Sequence, residues 1–257
     1  VAETAAMIKY SAVFRRAAVL LAALLCAVAV QAQDKPELYI HYPQLPPYIY
    51  LNGQSEQVTG ILPELFEPFF RQQGLNSRYI FNNPQRAEQA LYHGEIDAMF
   101  VSPAWVENPD ALLFSVTVLS YDDYLFSLKP QDVALDLTSV RELKVCTREH
   151  YIYPELEPYF SQQGFVRVDA SSQEAQLKML LNQRCDLAYM NDIIARWLMQ
   201  QQFPQLKLYP LPQAVARASL RLSLHPRWQA LLPALNQYIL QQQQSGAIVQ
   251  AIQRHTY

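Results

Sequence analysis

The phrase PELFEPFFRQQG, Pro63 to Gly74, returns later in the chain as PELEPYFSQQG, Pro154 to Gly164. The likeness runs well past the quoted words. Before the first copy lies Leu38-Tyr39-Ile40-His41-Tyr42, and before the second Leu143-Lys144-Val145-Cys146-Thr147, short apolar runs that read as strands. Within the first phrase Leu62, Leu65, Phe66, Phe69 and Phe70 recur at i, i+3, i+4, i+7 and i+8, which predicts a helix with one apolar face. Leu156, Tyr159 and Phe160 repeat that face in the second copy. Gly74 and Gly164 stop the two helices, because glycine tolerates the left-handed turn beyond a helix end. Strands follow at Arg78–Phe81 and Val166–Val168, and then second helices. Asn83 caps one of these, with Pro84 at its first position; Ser171 and Glu174 have capping-box spacing in the other. Each copy closes on an aspartate that opens a strand, Asp97–Val101 and Asp186–Met190. The interval from glycine to aspartate is 23 residues in one copy and 22 in the other.

Each copy is therefore a βαβαβ unit. Alternating strands and helices imply an α/β fold with a parallel sheet and right-handed crossovers. The period is too long for a solenoid, so the chain is expected to build two similar lobes. Residues 33–124 with 214–257 form lobe one and residues 125–213 lobe two. Ser120–Ser127 leads out of the first lobe, and Pro210-Leu211-Pro212-Gln213 leads back. A tail helix starts at Pro226, with Trp228, Leu231, Leu232, Leu235 and Ile239 on one face, and a shorter helix follows Gly246. Two crossings make a two-strand hinge, which suits lobes that close on something between them.

The first 32 residues read as a leader rather than as fold. Lys9, Arg15 and Arg16 precede an apolar run from Ala17 to Val30, and Val30-Gln31-Ala32 offers small residues to a signal peptidase. A membrane span needs about 20 apolar residues, more than this run supplies. Cleavage is expected at Ala32 and a periplasmic location follows, whether translation starts at Val1 or Met7. Removing the leader leaves 17 basic and 22 acidic residues, a net charge of −5. With no basic stripe, nucleic acid is excluded as a partner. Cys146 and Cys185 remain. In an oxidising compartment they form a disulfide if their geometry allows; otherwise they are two buried thiols.

In open α/β sheets the pocket lies beyond the C-terminal ends of the strands, near a switch in strand order. That rule selects Tyr42–Tyr48 and Ser102–Trp105 from lobe one, and Thr147–Tyr151 with Asn191-Asp192 from lobe two. The candidate ligand-binding residues are Tyr42, Tyr48, Ser102, Trp105, Arg148, Tyr151, Asn191 and Asp192. Aromatic walls with a few polar groups suit a small-molecule cleft. The loop at Arg148 is expected to open a helix whose free N–H groups favour an anion, with the Arg148 fork clamping a carboxylate and Asp192 receiving an ammonium group. Asp97 and Asp186 stand at the starting ends of strands, far from the cleft, and are read as structural.

The order of several phrases resembles the family 3 extracellular solute-binding proteins, periplasmic receptors of polar amino-acid ABC transporters. These are Pro47-Tyr48-Ile49-Tyr50, Thr59-Gly60-Ile61-Leu62-Pro63-Glu64-Leu65, Leu91-Tyr92-His93-Gly94-Glu95-Ile96-Asp97, Phe114-Ser115, and Ser172-Gln173-Glu174-Ala175 through Leu181–Asp186. The resemblance covers the mature chain. It implies a type II periplasmic-binding-protein fold, a monomer that captures an amino acid or a related organic acid or amine, and an inner-membrane permease or sensor as partner. The chain departs from that pattern where the ligand would be gripped. Trp105–Asp110 carries no arginine for a carboxylate, and Tyr42 replaces an acidic residue. Asn191 stands where an aspartate would meet an ammonium, with Asp192 one place later, and Pro84 replaces a stacking aromatic.

Catalytic motifs are absent. His41, His93, His150, His225 and His255 show no metal-ligand spacing, there is no GxSxG, and the six glycines form no phosphate loop. No cofactor is expected and the chain reads as a binder rather than an enzyme. Cyclohexadienyl dehydratases resemble the same fold, however, and keep an eliminating enzyme as the alternative, with Glu149, Asp192 and His150 as its proton-transfer candidates.

Overall fold

The computed structural model describes residues 35–130, 141–162 and 164–256, so the expected leader and its cleavage site lie outside the described residues. The first repeat builds β1 (Glu37–Tyr42), a hairpin of β2 (Tyr50–Asn52) and β3 (Gln57–Thr59), α1 (Ile61–Gln72), β4 (Asn76–Phe81), α2 (Pro84–Tyr92) and β5 (Ala98–Val101). Short β6 (Leu113–Phe114) leads to β7 (Leu119–Ser127). The second repeat gives β8 (Leu143–Arg148), α3 (Glu157–Ser161), β9 (Phe165–Ala170), α4 (Gln173–Leu181), β10 (Leu187–Asn191) and α5 (Asp192–Gln201). Then come β11 (Tyr209–Pro210), β12 (Ala216–Leu224), α6 (Leu232–Gln244) and α7 (Ala247–Thr256).

The sheet order is β4-β1-β5-β12-β7-β10-β8-β9. Its two halves are copies of one plan. In each, the first strand of the repeat lies centrally, flanked in parallel by the second and third, and an antiparallel strand closes the inner edge. The strands that join the halves change partners midway. Residues 119–123 of β7 pair with β12, and residues 123–126 pair with β10. Residues 216–220 of β12 pair with β7, and residues 221–224 pair with β5. The chain thus goes out on β7 and returns on β12, while Pro210 lies beside Phe126 at the far end of β7. This is a mixed α/β, two-lobed fold of the type II periplasmic-binding-protein kind.

Sequence explains the elements. All five residues of the predicted apolar face of α1 are buried, and fully burying a phenylalanine contributes about 1.5–3 kcal/mol. Gly60 starts α1 at φ 121°, and a Cβ there would lie 2.6 Å from the carbonyl oxygens of Pro47 and Tyr48. Those carbonyls accept from the N–H groups of Ile61 and Leu62, so the helix start pins the loop that carries Tyr48. Asn83 caps α2 by accepting from Arg86 N–H. In α4 the cap is Ser172, accepting from Ala175 N–H, one place later than the Ser171 capping box predicts. The second-copy helix is shorter than its model in the first. Tyr153 to Leu156 form a turn, and Pro158 sits in the first turn of the five-residue α3. The tail bends at Trp228, which leaves the helical face, and its indole N–H instead donates to Asp97.

Asp97 and Asp186 do matching work at the starting ends of strands. Asp97 accepts from Tyr39 N–H and Asp186 from Lys144 N–H, each at 2.8 Å. Asp97, nearly fully buried, is also neutralised by Arg227. Cys146 and Cys185 are joined by a disulfide, with Cα atoms 5.6 Å apart.

Candidate functional site

A cleft of about 1140 Å³, counting the space open to solvent, lies where the tips of both parallel half-sheets meet the two joining strands. Lobe one contributes Pro43 and Leu45 after β1, and Trp105, Val106 and Glu107 after β5. From lobe two come His150 to Tyr153 and Glu155 after β8, Tyr189 to Asn191 at the end of β10, and Gln173 at the start of α4. Strand β7 adds Tyr121 and Asp123, two residues apart and therefore on one face of the strand.

Three of the residues selected from sequence line this cleft: Trp105, Tyr151 and Asn191. Trp105 meets the Tyr121 ring edge-on at 5.3 Å. The Tyr151 hydroxyl is buried with no hydrogen-bond partner. Asn191 caps α5, its Oδ1 accepting from Ile193 and Ile194 N–H, and its Nδ2 donates to the Asp122 carbonyl. The same Oδ1 accepts from the Tyr48 hydroxyl at 2.8 Å. Tyr48 is fully buried, so it ties one lobe to the other from behind the cleft wall.

The remaining selections point elsewhere. Tyr42 is buried in the lobe-one core with its ring 5.6 Å from Phe81. Ser102 is buried, and its hydroxyl accepts from Ala104 N–H at the start of a short helical turn. Asp192 forms an ion pair with Arg196 one helical turn on. Arg148 lies over the Tyr151 ring, 5.4 Å from its centre, outside the cleft lining. The expected helix opening at Arg148 is not formed, because a turn intervenes before Glu157. Of the proton-transfer candidates, His150 lines the cleft, while Glu149 and Asp192 do not.

Sequence reasoning passed over Tyr121 and Asp123 of the joining strand, and Tyr153, Gln173 and Tyr189 of lobe two. Asp123 is 5% exposed and accepts from the Tyr189 hydroxyl at 3.2 Å. Burial pushes its carboxyl well above the usual carboxylate range, and the nearby Glu155, Asp122 and Asp192 push it the same way. The Tyr189 bond offsets this only in part. Tyr153 packs edge-on to Tyr189 at 5.0 Å, its hydroxyl fixed to the backbone of Arg148. Gln173 is 8% exposed, and its Oε1 has no partner. The alternation of Tyr121 and Asp123 along an expected crossing strand is the signal that could have found the pair.

The chemistry of this lining is lopsided. Glu88, Glu107, Asp123 and Glu155 bring carboxyl groups, and no lysine or arginine lines the cleft. Glu88 is already engaged by the Tyr92 hydroxyl and Glu107 N–H. The His41 ring N–H donates to the Asn82 carbonyl, and burial holds the imidazole down at about 4, hence neutral. Among the described residues no three His, Cys, Asp or Glu side chains are grouped to hold a metal.

No protein-family model and no curated protein matches this chain. Solved structures do. A binding component of an ABC transporter from Wolinella succinogenes, complexed with lysine, superposes with a TM-score of 0.74 at 13% identity, over 86% of this chain and 96% of that one. The chain has the fold of the periplasmic solute-binding proteins. A histidine kinase sensor domain similar to periplasmic binding proteins gives 0.71 at 16% identity, covering 88% of this chain and 97% of the other. An ancestral amino-acid-binding protein, a precursor of cyclohexadienyl dehydratase, gives 0.70 at 11% identity, covering 87% and 97%.

Proposed function

We propose that the chain is an exported receptor that captures a small polar solute between two closing lobes, residues 33–124 with 214–257 and residues 125–213. It works as a monomer in the periplasm after its leader is removed, and presents the loaded, closed form to an inner-membrane ABC permease or a membrane sensor. One observation carries the reading: an aromatic-walled cleft opens between two half-sheets joined by β7 and β12, at the strand tips where this fold class binds ligands. No helix among the described residues is long and apolar enough to cross a membrane.

Capture fits the site better than dehydration does. The substrate of an eliminating enzyme of the cyclohexadienyl type carries carboxylates, and no lysine or arginine lines the cleft to receive them. Closure requires a solute that prefers the closed form. A thermal-shift screen over amino acids, organic acids and amines tests the reading. A ligand at 100 times its dissociation constant adds about 2.7 kcal/mol of stability. Small-angle scattering on each hit then reads the compaction. Silence across the library, or hits without compaction, would overturn capture; turnover of prephenate would favour the enzyme.

A further inference from the structure

The cleft offers carboxyl groups and rings, and no lysine or arginine lines it to receive an acid. Asp123 is nine-tenths buried on the cleft floor with only a tyrosine hydroxyl for company, and Gln173, also buried and lining the cleft, carries an Oε1 with no hydrogen-bond partner. The helix N-termini nearby are capped from within the chain, α5 by Asn191 and α4 by Ser172. Arg148 and Arg167 lie over the rings of Tyr151 and Tyr153, outside the cleft lining, and Arg167 is further tied to Asp169.

We propose that the cleft selects a small organic cation, an amine or guanidinium compound, seated against Asp123 and Gln173 and enclosed by Trp105, Tyr121 and Tyr189. This deepens the capture reading and rests on it. An ammonium or guanidinium group brings only N–H donors, which is what two buried acceptors require. It also supplies the counter-charge that Asp123 lacks, since a buried charge is tolerated only when paired. Cations are attracted by ring faces, so the aromatic wall adds to the preference. An anionic group would meet Asp123, Glu107 and Glu155 with no lysine or arginine among the lining residues.

Calorimetric titration of the purified chain tests this with amines and guanidines from methylammonium to agmatine, against adipate and L-glutamate. Cations are expected to bind and adipate to fail. Asp123→Asn is expected to weaken the best cation roughly ten- to hundredfold, the worth of a hydrogen bond to a charged group. Gln173→Leu, which removes the other acceptor without touching a charge, is expected to weaken it several-fold and serves if Asp123→Asn does not fold. Tighter binding of adipate or L-glutamate than of any cation would overturn the inference and leave capture standing. Unchanged cation affinity in the variants would also overturn it. Failure of every compound here and in the wider library would remove both.

Discussion

The hydrogen bond from Tyr48 to Asn191 ties the lobes together, and its contribution can be isolated by a double-mutant cycle. Both side chains are buried, at 0% and 1% exposure. Tyr48→Phe removes the hydroxyl, yet Asn191 Oδ1 keeps Ile193 and Ile194 N–H as donors, so nothing is orphaned. The cost is then one net hydrogen bond, about 1 kcal/mol. Asn191→Ala is harsher. It removes the α5 cap and the Nδ2 bond to the Asp122 carbonyl, about 1 kcal/mol each, and leaves the Tyr48 hydroxyl buried without an acceptor, about 2 kcal/mol more. In the double variant the orphan is gone, and the expected loss is about 3 kcal/mol, below the ~4 kcal/mol of Asn191→Ala alone. Tyr48→Phe therefore changes sign, costing stability in the native background and restoring it beside Asn191→Ala. Urea unfolding followed by tyrosine and tryptophan fluorescence reads this as midpoint shifts at constant slope. Additive losses, within about 0.5 kcal/mol, would refute the reasoning, because residues that share a buried bond must couple.

Three further outcomes follow from the same geometry. Gly60→Ala places a Cβ 2.6 Å from two backbone carbonyls at a φ that L residues avoid, so a loss of about 3 kcal/mol is expected, read as a fall in melting temperature of roughly 6–12 °C. Burial holds the His41 imidazole at about 4 against 6.5 in the unfolded chain, so between those values only the unfolded chain takes up the proton. Stability is then full above pH 6.5 and falls as pH drops, by about 3 kcal/mol near pH 4; His41→Gln, compared by pH-dependent denaturation, should flatten that slope. The disulfide between Cys146 and Cys185 spans 39 residues, so reduction, or the double substitution to alanine, should cost about 4 kcal/mol by loop entropy in denaturant titrations.

Most of the fold was written in patterns that local physics controls. The period-3.6 face of α1, the Asn83-Pro84 start of α2 and the strand-opening aspartates all act through neighbours a few residues away, and each reappears in the structure. Where a tertiary partner decides, the reading slipped. Trp228 leaves the expected helix face because Asp97 needs its indole N–H. The return crossing, expected at Pro210–Gln213, is made by β12 at Ala216–Leu224, a strand that its pairing with β7 and β5 defines. The β2–β3 hairpin was passed over, although Asn52-Gly53 carries its turn signal.

The site divides along the same line. Strand-tip logic reached Trp105, Tyr151 and Asn191, because tip position follows from topology. It also selected Tyr42, Ser102 and Asp192, since position at a tip does not say which way a side chain turns; each satisfies itself nearby, in the core, in a helical turn or with Arg196. Tyr121 and Asp123 were hidden for a different reason. A strand that joins two lobes is read as a connector, yet β7 must alternate its side chains like any strand, and one of its faces is the floor of the cleft. Asp123 stands at the residue where β7 exchanges its β12 partner for β10, opposite both Ala216 and Asn191. If the proposed closure turns about that exchange point, a cation held by Asp123 stays near the axis while the walls carrying Trp105 and Tyr151 move. On the capture proposal, the rings then close on a cation already seated, and the strand that joins the lobes also anchors what they close upon.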